Sequence, residues 1–313
     1  HSVVAWNDID GDGYMDMYLL TQYGSNLLLQ NTPLGFSDVT SLANLGDTGN
    51  AMGADWGDFD NDGDFDLYLT NDGNADRLWR TNDWDAYSLV IGDNLSDEGN
   101  GRGVAWVDLD NDTFLDLYVV RNGQPDLLLF GNGDGTFDRA PVGPGETIDA
   151  GNAVACGDMN GDGRMDVYVT RDGATNLLML NEISTANHWF ALKLYGPEGN
   201  PLAIGTRVSI TADGVSQVRQ VTGGGGWLAM NGGPVHFGLG TSDHLDALDI
   251  SWPDGTVQHF TGPIGVDYVQ EVIYGQTVGI SDVPDEEPDL PASKNVLGAA
   301  RPNPFNPSTT ISY

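Results

Sequence analysis

Short apolar segments recur about every 50 residues through the first part of the chain, separated by polar stretches. Each repeat begins with VVAW, GADW, GVAW or VAC and continues through an acidic stretch to MYL, LYL, LYV or VYV. A third apolar segment, such as NLLLQN or DLLLFG, and a more variable aromatic segment follow. Segments rich in β-branched and aromatic residues between turn residues predict strands, and four strands in such a repeat are typical of a β-propeller blade.

The repeats with an acidic stretch end by residue 187, but strand-like segments continue beyond it. They read FALKL, RVSIT, SQVRQV, VHFGL, DALDISW and TVQHF, separated by Gly, Pro and Asp, and predict a small β-sandwich or barrel. We therefore predict an all-β fold, with a partial β-propeller of four blades at 1–183 and a second domain at 187–262. An extension of that domain to about 280 is left open. The acidic, Pro-rich stretch at 281–296 predicts a linker.

The acidic stretch of each repeat has carboxylates at its first, third, fifth and ninth positions. In the second repeat these are Asp58, Asp60, Asp62 and Asp66, with Gly63 supplying a sharp turn. So many like charges repel each other unless a cation lies among the oxygens, and hard oxygen ligands around a short turn are typical of calcium sites. The equivalent predicted ligands are Asp8, Asp10, Asp12 and Asp16; Asp108, Asp110, Asp112 and Asp116; and Asp158, Asn160, Asp162 and Asp166.

A backbone carbonyl at the seventh position completes each predicted ligand set, contributed by Tyr14, Asp64, Phe114 and Arg164. An EF-hand is excluded because it needs a glutamate at position twelve and flanking helices, whereas this chain has leucine or valine there and flanking strands. Acidic turns without a metal are the alternative for any single copy. Four copies in register favour calcium, with up to four ions bound.

Two substitutions predict that the four loops differ in affinity. Thr113 stands where the other loops have glycine, and a β-branched residue is costly if the backbone is left-handed there. Asn160 replaces a carboxylate in the fourth loop and lowers its negative charge. We expect the loops at Asp8 and Asp58 to bind calcium most tightly and the loop at Asp108 to lose its ion first.

Composition narrows the possible partners. The chain has 46 acidic and 12 basic residues, a net charge of −34, which argues against nucleic acid as a partner. No apolar run is long enough to span a membrane. The single cysteine, Cys156, aligns with Trp6, Trp56 and Trp106 of the other repeats, so a packing role is favoured over a reactive thiol.

The loop pattern with its following LYL strand resembles the FG-GAP or VCBS repeats of integrin α-subunit propellers and of many secreted bacterial proteins, over residues 1 to about 183. That resemblance implies calcium sites between adjacent blade strands and a partial fan, since propellers of this family commonly have about seven blades. NHW, IGTRV, the glycines before Trp227, HFGLG and ISWPDGTVQ resemble the ASPIC/UnbV domain of the cartilage acidic protein family, over about residues 187 to 262.

The final residues, 297–313, contain the sequence PNPFNP followed by Ser, Thr and β-branched residues. This segment resembles the start of the sorting domain recognised by the type IX secretion system, and several further strands of that domain would follow it. The resemblance implies a secreted or outer-cell-surface protein of a bacterium that uses this pathway.

Two function classes fit these features. The favoured one is a non-catalytic calcium-binding propeller module for adhesion or for binding an extracellular glycan or protein. The alternative is an extracellular carbohydrate-active enzyme, or an accessory domain of one, using paired carboxylates. No catalytic residue is predicted, because the clustered carboxylates belong to the loops and neither GxSxG nor HExxH occurs. Gly223 to Gly226 lack the Lys and Ser/Thr of a phosphate-binding loop.

Overall fold

The computed structural model describes residues 2–81, 83, 86–92, 95, 99–140, 151–224 and 233–276. This part of the chain consists of strands β1 to β22 and one four-residue helix, α1. The predicted all-β class is confirmed. The linker at 281–296 and the sorting segment at 297–313 lie outside the described residues. No helix in the described ranges is long and apolar enough to cross a membrane.

Each of the first three repeats forms a four-stranded antiparallel sheet in chain order. The first blade comprises β1 (Ser2–Asn7), β2 (Asp16–Thr21), β3 (Leu27–Thr32) and β4 (Gly35–Asp38), and α1 (Thr40–Ala43) follows it. The second comprises β5 (Ala51–Gly57), β6 (Asp66–Asn71), β7 (Arg77–Arg80) and β8 (Ser88–Val90). The third comprises β9 (Gly101–Val107), β10 (Asp116–Arg121), β11 (Leu127–Gly131) and β12 (Phe137–Arg139).

The fourth repeat departs from the predicted four strands. Its described strands are β13 (Gly151–Gly157), β14 (Asp166–Arg171) and β15 (Leu177–Met179), and no strand follows in residues 180–187. The apolar segment that would pair with β15 is replaced there by NEISTAN, which is mostly polar. The fourth sheet therefore has three described strands.

The blades pack face to face, in chain order. The first strand of each blade is its inner strand. The inner strands lie next to each other, β1 beside β5, β5 beside β9, and β9 beside β13. Every residue of β6 and β10 is buried, because these strands are covered on both faces by neighbouring blades. In β2 buried and half-buried residues alternate, as expected for a strand covered on one face. The four described blades thus form a fan.

Aromatic residues hold neighbouring blades together. Trp56 of the second blade lies edge-on to Tyr18 of the first, with ring centroids 6.1 Å apart. Trp106 of the third blade meets Tyr68 of the second in the same way, at 6.2 Å. These pairs repeat because the same two positions of the sequence repeat, one on the inner strand and one on the strand after the acidic loop.

The second domain is a sandwich of two sheets. One contains β16 (His188–Tyr195), β19 (Val235–Gly240) and β22 (Val269–Ile273); the other contains β17 (Arg207–Ala212), β18 (Val215–Gln220), β20 (Leu245–Ser251) and β21 (Val257–Ile264). Buried residues from both sheets, including Phe190, Phe237, Ile210, Leu248 and Ile250, form one core. The strand pattern of the sequence left a sandwich and a barrel open, and the two separate sheets make it a sandwich.

Candidate metal sites in the blade loops

Each acidic loop joins the inner strand of a blade to the next strand, and all four loops turn in the same way. The residues at the fourth and sixth positions have positive φ: Gly11, Asn61, Asn111 and Gly161, then Gly13, Gly63, Thr113 and Gly163. Thr113 has φ 95°, close to the 96° of Gly63. The suspected left-handed backbone at Thr113 is therefore confirmed, and a β-branched residue lies where glycine is favoured.

Backbone amides hold the carboxylates at the first and fifth loop positions in place. In the second loop Asp58 accepts hydrogen bonds from the amides of Asp62 and Gly63, at 3.1 and 3.2 Å, and Asp62 accepts one from Asp64 at 3.0 Å. The amides of Gly13, Thr113 and Gly163 donate in the same way to Asp8, Asp108 and Asp158. These bonds orient the carboxylates before any ion binds.

The carboxylate at the ninth loop position links the loop to the third strand of its blade. Asp66 accepts the amide of Phe59 with Oδ2, at 3.3 Å, and the amide of Thr81 with Oδ1, at 3.0 Å. Asp16, Asp116 and Asp166 make the same pair of bonds in their own blades. The sequence predicted this residue as a ligand only. Each carboxylate oxygen has two lone pairs, so bracing leaves it able to coordinate a cation.

The structure brings carboxylate oxygens together in three of the loops. Within each group the oxygens lie no more than 4.8 Å from one another: Asp8, Asp10 and Asp16; Asp58, Asp60 and Asp62; and Asp108, Asp110 and Asp116. Each group has at least one oxygen that is buried without a hydrogen-bond partner: Oδ1 of Asp8, Oδ1 of Asp60 and Oδ1 of Asp110. An unsatisfied buried carboxylate oxygen is costly, and a hard cation with oxygen ligands would satisfy it. The residues therefore fit a calcium ion.

The electrostatics of these groups also favour a cation. Burial, with neighbouring carboxylates adding to its effect, raises the pKa of Asp66 to about 9 and that of Asp108 to about 7. Burial likewise raises the pKa of Asp16 to about 7 and that of Asp8 to about 6. A bound cation would stabilise the charged carboxylates against both effects.

The fourth loop differs from the other three. Among the described residues it has no such carboxylate group, because Asn160 stands at its third position and donates to Asp162 at 3.0 Å. Arg164 forms an ion pair with Asp162 as well. The predicted ligands Asp158, Asn160, Asp162 and Asp166 are in the expected loop conformation, with an amide in place of one carboxylate. The carbonyls of Tyr14, Asp64, Phe114 and Arg164 stay predicted ligands.

The second domain packs onto the loops, which the sequence did not predict. Gln220 accepts the amide of Asp8 at 2.9 Å, and Gly240 donates its amide to the carbonyl of Asn111 at 2.8 Å. Arg207 donates to the carbonyl of Gly63 in the second loop. His236 contacts the carbonyl of Gly163 through Nε2, at 3.1 Å. Residues far apart in sequence thus place the second domain against all four loops.

Burial lowers the pKa of His236 to about 4, so its imidazole is neutral near pH 7. The carbonyl of Gly163 can only accept, and Nε2 therefore carries the proton. The guanidinium of Arg219 is buried near the carboxylates of Asp58 and Asp108. Nothing in the repeat pattern could reveal Arg219, because its strand lies more than 100 residues beyond the loops it faces.

A cavity of about 160 Å³ lies where the inner strands meet the second domain, and Asp55, Cys156 and His236 are among its lining residues. Asp55 stands where the other repeats have alanine, and it accepts the amides of Trp56 and Trp106 at 3.1 and 3.0 Å. Its carboxylate therefore links β5 to β9. Burial raises the pKa of Cys156 to about 12, which fits the packing role suggested for this residue.

A fan of antiparallel blades, each with an acidic loop after its inner strand, defines a propeller-repeat protein of the FG-GAP type. The FG-GAP-like repeat model matches residues 8–69, 58–119 and 108–169, and the ASPIC and UnbV model matches 196–272. The chain belongs to the FG-GAP-like repeat family and carries an ASPIC and UnbV domain. The resemblance seen in the sequence is confirmed for both parts.

The fold is also similar, at a low level, to the V. cholerae biofilm matrix protein Bap1, whose crystal structure is known. The identity is 10% and the TM-score 0.34, with 83% of this chain and 58% of that protein covered. The chain thus spans little more than half the length of that protein, and a TM-score of this size carries no functional argument. No curated protein matches the sequence.

Proposed function

We propose that this protein is an extracellular, non-catalytic binding module whose first three acidic loops hold calcium. The observation that carries the calcium proposal is the buried, unpartnered carboxylate oxygen in each of these loops, on Asp8, Asp60 and Asp110. Bound calcium supplies positive charge and oxygen coordination, which would fix the hairpin between the first two strands of each blade. Because the second domain contacts the same hairpins, calcium would also stabilise that interface.

The partner we propose is an extracellular glycan or protein. Three calcium ions would reduce the net charge from −34 to about −28, so the surface stays strongly anionic and unsuited to a polyanion. The non-catalytic role is supported by the structural uses of the carboxylates among the described residues. Those at the first, fifth and ninth loop positions are held by backbone amides, and the Asp55 carboxylate joins two inner strands. The PNPFNP segment supports export by type IX secretion to a bacterial surface.

Calcium binding is tested by titrating metal-free protein in a calorimeter and by melting it with and without a chelator. We expect three binding events and a lower melting temperature in chelator. At a calcium concentration a hundredfold above Kd, each occupied site adds about 2.7 kcal/mol to the free energy of unfolding. Unchanged melting and no heat of binding would contradict the proposal.

Ligand binding is tested on a glycan array and a panel of matrix proteins, each with calcium and with chelator. We expect calcium-dependent binding to at least one member. Hydrolysis of a polysaccharide in a parallel screen would instead favour the enzyme alternative.

A further inference from the structure

A position at or just after the third strand of each blade lies 22 residues after the first loop carboxylate, and in the first two blades its side chain contacts the acidic loop. This position holds Gln30, Arg80, Phe130 and Leu180 in successive repeats. In the first blade the amide of Gln30 donates to Oδ2 of Asp10 at 2.6 Å. Only the second blade has a cation at this position.

Arg80 forms ion pairs with two predicted ligands of the second loop. Its Nε lies 2.5 Å from Oδ2 of Asp60, and its Nη2 lies 3.6 Å from Oδ2 of Asp62. The Asp60 side chain is only 3% exposed, whereas that of Arg80 is 37% exposed, so the carboxylate is shielded from water and the guanidinium is partly solvated. A guanidinium this close to Asp60 occupies the space in which that carboxylate would coordinate a metal ion. Its positive charge also repels the ion.

Two arginines of the second domain add to this effect. Arg207 contacts the carbonyl of Gly63 in the loop, and Arg219 is buried where it attracts the carboxylate of Asp58. The second loop has a fifth carboxylate, Asp64, and three arginines lie beside this loop. In the first loop the corresponding contacts come from the neutral amides of Gln30 and Gln220.

We infer that Arg80 is a built-in counter-ion of the second loop, which sets its calcium affinity well below that of the first loop. The inference rests on the proposed calcium binding and deepens it, because it assigns a residue that ranks the sites. It also replaces the expectation that the loops at Asp8 and Asp58 both bind calcium more tightly than the other two. Calcium must displace Arg80 from Asp60 before it can use both oxygens of that carboxylate.

A reciprocal exchange tests this inference. Arg80→Gln gives the second loop the residue of the first, and Gln30→Arg does the opposite. We expect Arg80→Gln to raise calcium affinity at the second loop about tenfold, and Gln30→Arg to lower it at the first loop about tenfold. Occupancies of the individual loops are measured from calcium anomalous scattering in crystals grown at graded calcium, with calorimetry on the same variants.

Arg77→Gln is the matched control. Arg77 lies on the same strand and its removal changes the net charge equally, but it pairs with Asp47, outside the loop, at 3.7 Å. We expect this variant to change affinity less than twofold. If Arg80→Gln and Arg77→Gln have equal effects while calcium still binds at the other loops, the role of Arg80 is wrong but the proposed calcium binding stands. Absence of calcium from every loop in every variant would overturn the proposed function and this inference together.

Discussion

The first three acidic loops and the fourth have nearly the same sequence and the same backbone turn, but different surroundings. The residue at the second loop position is buried in the first three, as Ile9, Phe59 and Leu109, whereas Met159 of the fourth is 66% exposed. The difference arises from the neighbouring blade, which covers each of the first three loops. The repeat sequence thus determines the conformation of the loop, and the next blade creates the buried environment in which a cation would stabilise its carboxylates.

The blade faces show the same contrast. Tyr18, Tyr68 and Tyr118 are wholly buried, while Tyr168, at the same position of the fourth repeat, is 38% exposed. Each of the three buried tyrosines is covered by the inner strand of the following blade. The exposure of Tyr168 shows that no strand among the described residues covers the fourth blade in this way. Burial of the loops and burial of the tyrosines therefore have one cause.

The largest expected effect is a loss of stability when a residue at the interface between two blades is removed. Trp106 packs against Tyr68 and stacks on Phe59 with ring centroids 6.0 Å apart, and it is buried. Trp106→Ala should lower the free energy of unfolding by about 3–5 kcal/mol, as for other buried tryptophans. Trp6→Ala, at the same position of the half-buried first inner strand, should cost clearly less. Urea unfolding of both variants measures this, and equal losses would contradict the argument.

The repeat period predicted the blades, the loops and the left-handed turn at Thr113, since all depend on residues close in sequence. Strand existence followed from apolar patterning, and the turn followed from the glycine that the other loops have at this position. The number of strands in the fourth blade was predicted less well, because the repeat ends there and its last segment has no apolar pattern.

Contacts between the two domains could not be predicted. Arg207, Arg219 and His236 approach the loops from strands with no sequence relation to the repeats. Arg80 is different, because aligning the third strands would have shown one cation beside a set of predicted ligands. The bracing role of Asp66 was also missed, since its partners Phe59 and Thr81 come together only when the three strands pair.

A smaller effect is expected from the tyrosine hydroxyls. The hydroxyl of Tyr118 donates to Oδ2 of Asp126 at 2.9 Å under the cover of the fourth blade. Tyr118→Phe leaves that carboxylate oxygen without this donor, which should cost about 1–3 kcal/mol. The hydroxyl of Tyr168 accepts from Asn176 in an exposed position, so Tyr168→Phe should change stability little. Thermal unfolding compares the two variants, and a larger loss for Tyr168→Phe would show that the cover is not what matters.

The smallest effect concerns backbone strain within the three covered loops. Thr113 adopts φ 95°, a conformation that costs a non-glycine residue of order 1 kcal/mol and a β-branched one more. If calcium binding requires this turn, Thr113→Gly should raise affinity at the third loop, and 1 kcal/mol corresponds to about a fivefold change. Calorimetry and loop occupancies at graded calcium measure it.

Two controls separate strain from packing, because Thr113 is buried and its methyl group is lost in the glycine variant. Thr113→Ala removes that methyl but keeps a Cβ at positive φ, so it should gain much less affinity than Thr113→Gly. Gly63→Thr introduces the strain at φ 96°, where a Cβ meets nothing within 4 Å, and should weaken the second loop by about the same fivefold factor. If Thr113→Ala binds as tightly as Thr113→Gly, or Gly63→Thr binds normally, the side chain rather than the backbone distinguishes the third loop.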